Sequence, residues 1–346
     1  MRAAALALLI LAGAAGAQDA PVPAALRDVV VAISERTLRI EELPPGLFDE
    51  ETTTRFRELV ERSGPRPVGT GLVTAAEGLV LTTARLNDPA RMEFKVRFAD
   101  GREFPAKVLG SDRRTDLTLL QFEGGAPVPP ARRADLSRVK PGDPVTGVAF
   151  RAGETLPVAS GGAVQRLELD LATTVLQTFL ETDVGNVPGP LFNRDGEVIG
   201  INAYFHRTEP RRAFAIPINL ALHVQEQLRQ HGRVIRGRLG FTLAQASPEV
   251  AAAAGRSVEG AASVQAVEQN GPAAHAGLVP GDLILDIAGT PIPRPGLAVA
   301  VISLLRPGTP VTIRVWRAGR SEALTAIVGE AAPDPPTNFP TRPTNR

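Results

Sequence analysis

Short apolar segments follow one another closely from residue 69 onward, and tight glycine-containing turns separate them. Asp100-Gly101 joins Phe94–Phe98 to Glu103–Leu109, and Asp195-Gly196 closes a second hairpin. Asp-Gly is typical of two-residue β-hairpin turns, because both residues tolerate a positive φ. Strands of this length and spacing, with few helical segments, indicate an all-β barrel or sandwich.

Further strand-like runs flank these hairpins. They are Val29–Ser34, Gly69–Ala75, Leu79–Thr83, Asp116–Phe122, Val145–Phe150, Leu156–Leu167, Val175–Thr182 and Ala213–Ile218. One helix is predicted after the last strand, because Leu220, Val224 and Leu228 share a face. Asn219 is its expected N-cap and Gly232 its stop. With 13 Phe, one Trp and one Tyr in 346 residues, aliphatic side chains must fill the cores.

A second module follows a short Gly/Arg linker, Gly232–Arg238, which we interpret as a domain boundary. The module mixes helices and strands. Ser247 can cap a small helix that ends near Gly255, and Gly296–Leu305 forms an apolar helix. The predicted strands of the module are Val264–Glu268, Val311–Trp316 and Glu322–Val328. The remaining segment, 331–346, is rich in proline and polar residues and is expected to be disordered.

Residues 1–17 have the pattern of a signal peptide. Arg2 precedes a short apolar run, and Ala15-Gly16-Ala17 matches a cleavage site. A buried N-terminal helix is the alternative. Cleavage removes one positive charge, so the formal net charge of +1 becomes +1 − 1 = 0 in the mature chain. We therefore expect an exported protein, periplasmic in a Gram-negative source, with no membrane span in the mature chain and no nucleic-acid partner.

Residues 25–330 together resemble the HtrA/Deg family of trypsin-like serine proteases. The resemblance rests on the order and spacing of several short motifs, which are Gly69-Thr70-Gly71-Leu72-Val73, Thr115-Asp116-Leu117, Glu181-Thr182-Asp183, Gly196–Asn202 and Phe214–Ile218. It implies a mainly β chain: a trypsin-like double β-barrel over 25–231, followed by a C-terminal α+β PDZ domain over 236–330. The PDZ assignment rests on Arg238-Leu239-Gly240-Phe241 and the run Gly271–Leu285.

The resemblance also identifies the positions of a catalytic triad, of which one member is retained. Family members carry the base in Leu-Thr-x-x-His-Val, and Arg85 stands at the histidine position. A guanidinium group stays protonated and cannot act as a base. The nucleophile pattern Gly-Asn-Ser-Gly-Gly-Pro-Leu appears with Val187 at the serine and Pro188 after it. Asp116 is retained, either as a remnant of the triad or, as we prefer, as a structural acid paired with Arg85 or capping a strand end.

A residue census supports the loss of catalysis without any alignment. No histidine precedes His206, no serine occurs between Gly161 and Ala246, and the chain has no cysteine. None of the three lysines stands in a sequence pattern with a serine at a candidate nucleophile position, which argues against a Ser–Lys catalytic site. The loop before Gly185 is also about four residues shorter than the family pattern. Pro188 lacks an N–H and restricts the backbone of Val187 to extended conformations. We therefore expect the oxyanion hole to be altered as well.

The histidines do not suggest a metal site, and no cofactor is predicted. His206, His223, His231 and His275 lack metal-ligand spacing, so no metal-binding residues are assigned. His206 lies in a loop with Arg207, Arg211 and Arg212 that borders the substrate cleft in the family. This loop is either a remodelled peptide-binding rim or simply an exposed basic loop.

The PDZ module keeps the features that peptide binding requires. By the resemblance, backbone N–H groups near Leu239–Phe241 hold a terminal carboxylate, and an extended peptide adds a strand beside Phe241–Leu243. The predicted peptide-binding residues are Arg238, Leu239, Gly240, Phe241, Val301 and Leu305. Arg236 and Arg238 flank the loop, and both are expected to offer charge-assisted contacts to a ligand. The alternatives are that the loop is occluded or that Leu239 and Phe241 are only core residues.

Two functions remain open from the sequence. The first is a non-catalytic pseudoprotease that binds polypeptide C-termini or unfolded envelope proteins as a scaffold, chaperone or regulator in protein quality control. The second is an active serine-type endopeptidase with an unconventional site. The resemblance makes a homotrimer plausible, and a mixed assembly with an active HtrA/Deg relative is a further hypothesis.

Overall fold

The computed structural model describes residues 20–37, 49, 51–52, 54, 65–83, 86, 92–124, 128–151, 154–166, 180–182, 189–205, 212–255 and 261–332. Several predictions fall outside these residues: the signal peptide, Arg85, Val187, Pro188, His206, and the tail beyond residue 332. The described chain forms two compact units. Unit 1 contains residues 20–166 and 180–233, and unit 2 contains residues 234–332.

The first barrel of unit 1 is a closed ring of six antiparallel strands, ordered β2-β3-β4-β7-β6-β5. Its strands are β2 Val30–Thr37, β3 Arg66–Ala75, β4 Leu79–Thr82, β5 Met92–Phe98, β6 Glu103–Asp112 and β7 Leu117–Phe122. Asp100-Gly101 joins β5 to β6, as predicted, and Gly101 has φ +91°. Three phenylalanines fill one end of the core, with ring centroids 5.4 to 5.9 Å apart: Phe98, Phe104 and Phe122.

The second barrel of unit 1 is built from a seven-stranded sheet, ordered β1-β9-β10-β13-β12-β11-β8. Pairing of β8 with β9 closes six of these strands into a ring, and β1 adds to β9. The strands are β1 Ala20–Pro21, β8 Pro144–Ala149, β9 Val158–Arg166, β10 Leu180–Thr182, β11 Gly189–Phe192, β12 Val198–Phe205 and β13 Ala213–Pro217. A short helix, α1 (Ala24–Arg27), lies between β1 and β2. The predicted double barrel is therefore confirmed.

Helix α2 (Ile218–His231) follows β13 directly and packs against β6, β7 and β12. Its buried face contains Val224 and Leu228, as the sequence predicts. Gly232 ends the helix with φ +68°, and its N–H donates to the Leu228 carbonyl. The prediction that Asn219 caps the helix is wrong. The helix starts at Ile218, two residues earlier than predicted, because β13 runs into it without a turn and Pro217 occupies the N-cap position.

Unit 2 is an α+β domain with a sheet ordered β15-β16-β17-β19-β20, and β18 pairs with β17. Its strands are β14 Gly237–Arg238, β15 Phe241–Gln245, β16 Ala262–Val267, β17 Leu283–Ile287, β18 Thr290–Pro291, β19 Pro310–Arg317, β20 Arg320–Ile327 and β21 Gly329–Glu330. Its helices are α3 Pro248–Ala253, α4 Pro272–His275 and α5 Pro295–Leu304. Ser247 caps α3, as predicted, by accepting from the Val250 N–H.

The Gly232–Arg238 segment is not only a linker, because its last two residues form strand β14. This strand pairs with β21, so the two ends of unit 2 close on each other. A sequence pattern cannot show this pairing, since each strand has two residues. A single large core lies under the sheet and includes Leu239, Ile284, Ile292 and Ile313. No helix within the described ranges has the length and apolar character needed to cross a membrane.

Candidate functional site

Asp116 lies in the turn between β6 and β7, where a buried hydrogen-bond network fixes the backbone. Asp112 Oδ2 accepts from the Thr115 N–H at 3.1 Å and from Thr115 Oγ1 at 2.5 Å. Both Asp112 and Thr115 are buried, whereas Asp116 is half-buried and has φ +54°. Aspartate tolerates this left-handed conformation better than most residues. The position of Asp116 thus follows from local turn chemistry. Its pairing with Arg85 stays a prediction, because Arg85 lies outside the described residues.

Gly189 belongs to the stretch that matches the family's nucleophile pattern, and it is the first residue of β11. Its φ is +143°, and an added Cβ would lie 2.4 Å from the Val148 carbonyl oxygen and 3.2 Å from Thr70 Cγ2. Only glycine fits a backbone in this conformation with a carbonyl so close. This glycine of the family pattern therefore has a packing role that does not depend on catalysis. Val187 and Pro188 lie outside the described residues.

Threonine hydroxyl groups join the two barrels of unit 1, and one of these threonines, Thr70, lies next to Gly189. Thr83 Oγ1 donates to the Asn202 carbonyl at 2.9 Å, two residues before Arg85 in the chain. Thr70 accepts from the Phe150 N–H at 2.9 Å through its hydroxyl, and its carbonyl accepts from Thr82 Oγ1 at 2.8 Å. Buried polar groups paired in this way stabilise a fixed arrangement of the strands. These hydrogen bonds therefore fix the two barrels of unit 1 against each other.

Two histidines of unit 1 are described, and both lie on α2. His223 is exposed and bonds to Gln227, and His231 is exposed at the end of the helix. Neither is in the first barrel, where the resemblance places the catalytic base. Among the described residues, no group of three or more His, Cys, Asp or Glu side chains is arranged to hold a metal ion.

Strand β15 forms one edge of the unit 2 sheet, and helix α5 packs beside it. Within the described chain, β15 pairs with β16 on one side only. Phe241 and Leu243 alternate along the strand, while Leu297 and Val301 are one turn apart on α5. All four side chains are half-buried against the same core. An open strand edge beside an apolar helix is the geometry that binds a peptide as an added strand.

The turn that leads into β15 has backbone N–H groups available to a ligand. Gly240 has φ +77°, and the carbonyls of Leu239 and Gly240 accept from Ala273 and Glu268, each at 2.8 Å. In the described part of the chain, no hydrogen bond is donated by the N–H of Leu239 or Gly240. Adjacent unused N–H groups beside a glycine turn suit a carboxylate.

The predicted peptide-binding residues have different surroundings in the structure. Gly240 and Phe241 border the open edge, and Val301 lies on the facing helix. The Leu239 side chain belongs to the core, with 1% exposure, so only its backbone can contact a ligand. Leu305 follows the last turn of α5 in an extended conformation and borders a separate cavity of about 410 Å³ near β19. Whether these residues bind peptide stays a prediction.

The two arginines that flank the turn are not equivalent. Arg236 is buried, with 6% exposure, so the expectation that it offers a cation to a ligand is wrong. Arg238 is 45% exposed at its side chain and forms an ion pair with Glu268. The sequence identifies Leu243 as the end of the strand that a peptide would join, but it did not indicate Glu268 or Leu297. Four-residue spacing from Val301 would have indicated Leu297.

An ion pair between the half-buried Arg317 and the buried Asp282 fixes the segment that follows α4. Arg317 donates from Nε to Asp282 Oδ1 at 2.7 Å and from Nη2 to Oδ2 at 2.6 Å. Asp282 also accepts from the Val279 N–H, and Arg317 donates to the Gly277 carbonyl. The hydrogen bonds to Asp282 raise the pKa of Arg317 above its ordinary value. The aspartate of the predicted PDZ motif therefore has a structural role.

Comparisons with known families match both units. A trypsin-like peptidase domain matches residues 69–201, and a PDZ domain matches residues 263–317. The chain is 32% identical to a "Probable periplasmic serine endoprotease DegP-like" of Halomonas elongata, over 94% of this chain and 74% of that protein. It is 34% identical to a protein of the same name from Pseudomonas savastanoi pv. phaseolicola, over 85% of this chain and 64% of that protein. The chain thus spans about two thirds to three quarters of these relatives.

Solved structures of HtrA-type proteases resemble most of the chain. One is the HtrA-type protease AlgW with a tripeptide, with TM-score 0.70, 27% identity, and 90% of this chain and 99% of that chain covered. Another is AlgW with a decapeptide, with TM-score 0.68, 28% identity, and 89% of this chain and 97% of that chain covered. The two matched domains, the share of the chain that these matches cover and the double barrel of unit 1 all indicate the same family. The chain belongs to the HtrA/DegP family of trypsin-like proteases with a PDZ domain.

Proposed function

We propose that this protein is a catalytically inactive member of its family that binds polypeptide segments through its PDZ domain. The observation that carries the proposal is the open edge of β15 beside α5, with the unused N–H groups of Leu239 and Gly240 at one end. In this proposal the double barrel serves as a scaffold. The ligands are protein C-termini or unfolded polypeptides, and the role is that of a scaffold, chaperone or regulator in protein quality control.

The residue types at the triad positions support the loss of catalysis. Arg85 cannot take a proton from a hydroxyl group, and Val187 has no heteroatom to attack a carbonyl carbon. The sequence between Gly161 and His206 contains no serine, histidine or cysteine that could replace them. Asp116 alone orients nothing without an imidazole. The packing role of Gly189 accounts for its presence in the nucleophile pattern of a protein that we propose to be inactive.

The solved relatives support peptide binding. HtrA-type protease AlgW has been solved with a tripeptide and with a decapeptide. The present chain keeps an edge strand, an apolar helix and a glycine turn with free donors, which are the parts that strand addition requires. None of these parts depends on the triad.

The second candidate function is proteolysis at an unconventional site, which the names of the relatives favour, since they are described as serine endoproteases. Incubation of the purified protein with reduced, denatured casein separates the two functions. We expect no cleavage by the unaltered protein. Cleavage that survives Asp116→Ala and further purification would overturn the pseudoprotease proposal.

The Arg85→His/Val187→Ser double variant tests whether the framework still supports a triad. We expect it to cleave casein weakly or not at all, because the shortened loop and Pro188 also alter the oxyanion hole. Restored cleavage in the double variant would show that the side chains at positions 85 and 187 alone prevent catalysis. The proposal that the unaltered protein is inactive would then still hold, with these two residues as its cause.

A library of decapeptides with free C-termini tests the binding proposal. We expect some peptides to bind the full chain, and Gly240→Trp to abolish that binding by filling the turn. Gly319→Trp is the matched control, because Gly319 has a similar φ of +84° with no atom within 4 Å of an added Cβ. The proposal fails if no peptide binds, or if Gly240→Trp binds as well as Gly319→Trp.

Export and assembly are part of the same proposal. The leader at residues 1–17 and the periplasmic names of the relatives support secretion across the inner membrane. We propose that the mature protein works in the periplasm, as a homotrimer or together with an active family member. N-terminal sequencing of the secreted protein, with cleavage expected after Ala17, tests the first point, and sedimentation analysis tests the second.

A further inference from the structure

The Glu268 side chain lies directly beside the turn that we assign to carboxylate binding. An added Cβ at Gly240 would lie 2.8 Å from Glu268 Oε2, and one at Gly271 would lie 3.4 Å from the same atom. The Glu268 N–H donates to the Gly240 carbonyl at 2.8 Å, and the Gly271 N–H donates to the Glu268 carbonyl at 3.1 Å. These backbone hydrogen bonds fix the Glu268 backbone, from which the side chain extends, next to Gly240.

Glu268 also holds the one exposed cation that flanks the turn among the described residues. Its Oε2 atom pairs with an Arg238 guanidinium nitrogen, and both side chains are 45% exposed. Arg236 is buried and offers no exposed charge to a ligand. A terminal carboxylate at this turn would therefore meet an arginine that is already neutralised and a second carboxylate nearby.

We propose, on the basis of the proposed peptide binding, that Glu268 is a specificity-determining residue of the groove. It opposes a terminal carboxylate, both by direct repulsion and by holding Arg238 away from the ligand. The groove consequently distinguishes less between a free C-terminus and an internal or neutral segment than the N–H groups alone would allow. A protein that binds unfolded chains benefits from such tolerance, because most exposed segments of an unfolded chain are internal.

The test uses the full chain and the tightest-binding decapeptide of the library, once with a free carboxylate and once as its C-terminal amide. We expect Glu268→Gln to tighten binding of the free carboxylate by about three- to tenfold, the size of one exposed charge interaction. Binding of the amide should stay within about twofold. Glu249→Gln is the matched control, since it removes the same charge beyond the other end of β15.

A second variant distinguishes repulsion from positioning. If Glu268 holds Arg238 away from the ligand, then Arg238→Gln in the Glu268→Gln background should cancel most of the gain. The proposal is overturned if Glu268→Gln matches Glu249→Gln, if it tightens both peptides equally, or if it weakens the free carboxylate, which would make Glu268 a positioning residue for Arg238. Absence of peptide binding in the unaltered protein would instead refute the proposed function, so the two failures are distinguishable.

Discussion

At the scale of single residues, Gly189 has a packing role within the stretch that matches the family's nucleophile pattern. Its backbone conformation and the Val148 carbonyl 2.4 Å from an added Cβ both exclude other residues. We expect Gly189→Ala to lower the free energy of unfolding of unit 1 by about 3 kcal/mol, as strain and a backbone clash combine. Urea denaturation followed by circular dichroism measures this change.

The control for this prediction is Gly142→Ala. Gly142 also has a positive φ, +90°, but nothing lies within 4 Å of an added Cβ, so only conformational strain remains. We expect a loss of about 1 kcal/mol. Equal losses in the two variants would contradict a packing role for Gly189.

The Arg317–Asp282 pair gives a second prediction at this scale. Asp282 is 1% exposed, so removing the arginine leaves a buried carboxylate with the Val279 N–H as its remaining donor. We expect Arg317→Met to destabilise unit 2 by about 3 kcal/mol, and Arg320→Met, 78% exposed on the same hairpin, by less than about 0.5 kcal/mol. Fluorescence of Trp316, the only tryptophan, reports the transition. Similar midpoints for the two variants would show that the buried pair contributes little.

At the scale of elements, helix α5 presents different faces to the core and to solvent although it has no charged side chain. Val301 packs against the core beside β15, whereas Val299 is 46% exposed. We expect Val301→Gln to weaken decapeptide binding about tenfold, the value of burying one valine side chain, and Val299→Gln to have no effect. Fluorescence anisotropy measures both. A larger effect at Val299 would place the peptide on another face of the helix.

At the scale of the whole molecule, we expect unit 2 to fold and to bind peptide without unit 1. Unit 2 has its own core, and β14 pairs with β21 so that its two ends meet. We expect a fragment of residues 234–332 to unfold in one cooperative transition and to bind the decapeptide within about threefold of the full chain. A fragment of residues 239–332, which lacks β14 and Arg238, should melt at least about 5 °C lower. Loss of folding in the longer fragment would contradict the prediction.

Much of this architecture could be predicted from local sequence, because hairpin turns and alternating apolar residues act over a few neighbours. Asp100-Gly101, the stop at Gly232 and the cap at Ser247 occur where the sequence places them. The sequence-based prediction was wrong where the start of a helix depends on the element that precedes it. Helix α2 begins at Ile218 rather than after Asn219, because β13 continues straight into it. The two-residue strand β14 was missed because its partner lies about 90 residues away in sequence.

The sequence by itself determined the family pattern, and it carries the proposal of lost catalysis, because residue types decide whether a base or a nucleophile is available. Only the tertiary structure decided which family-pattern residues have packing roles and which border the open edge of β15. It placed Leu239 and Arg236 in the interior, gave Gly189 and Asp282 structural reasons to persist, and brought Glu268 beside Gly240. Such proximities depend on how distant strands pair, and no local pattern records them.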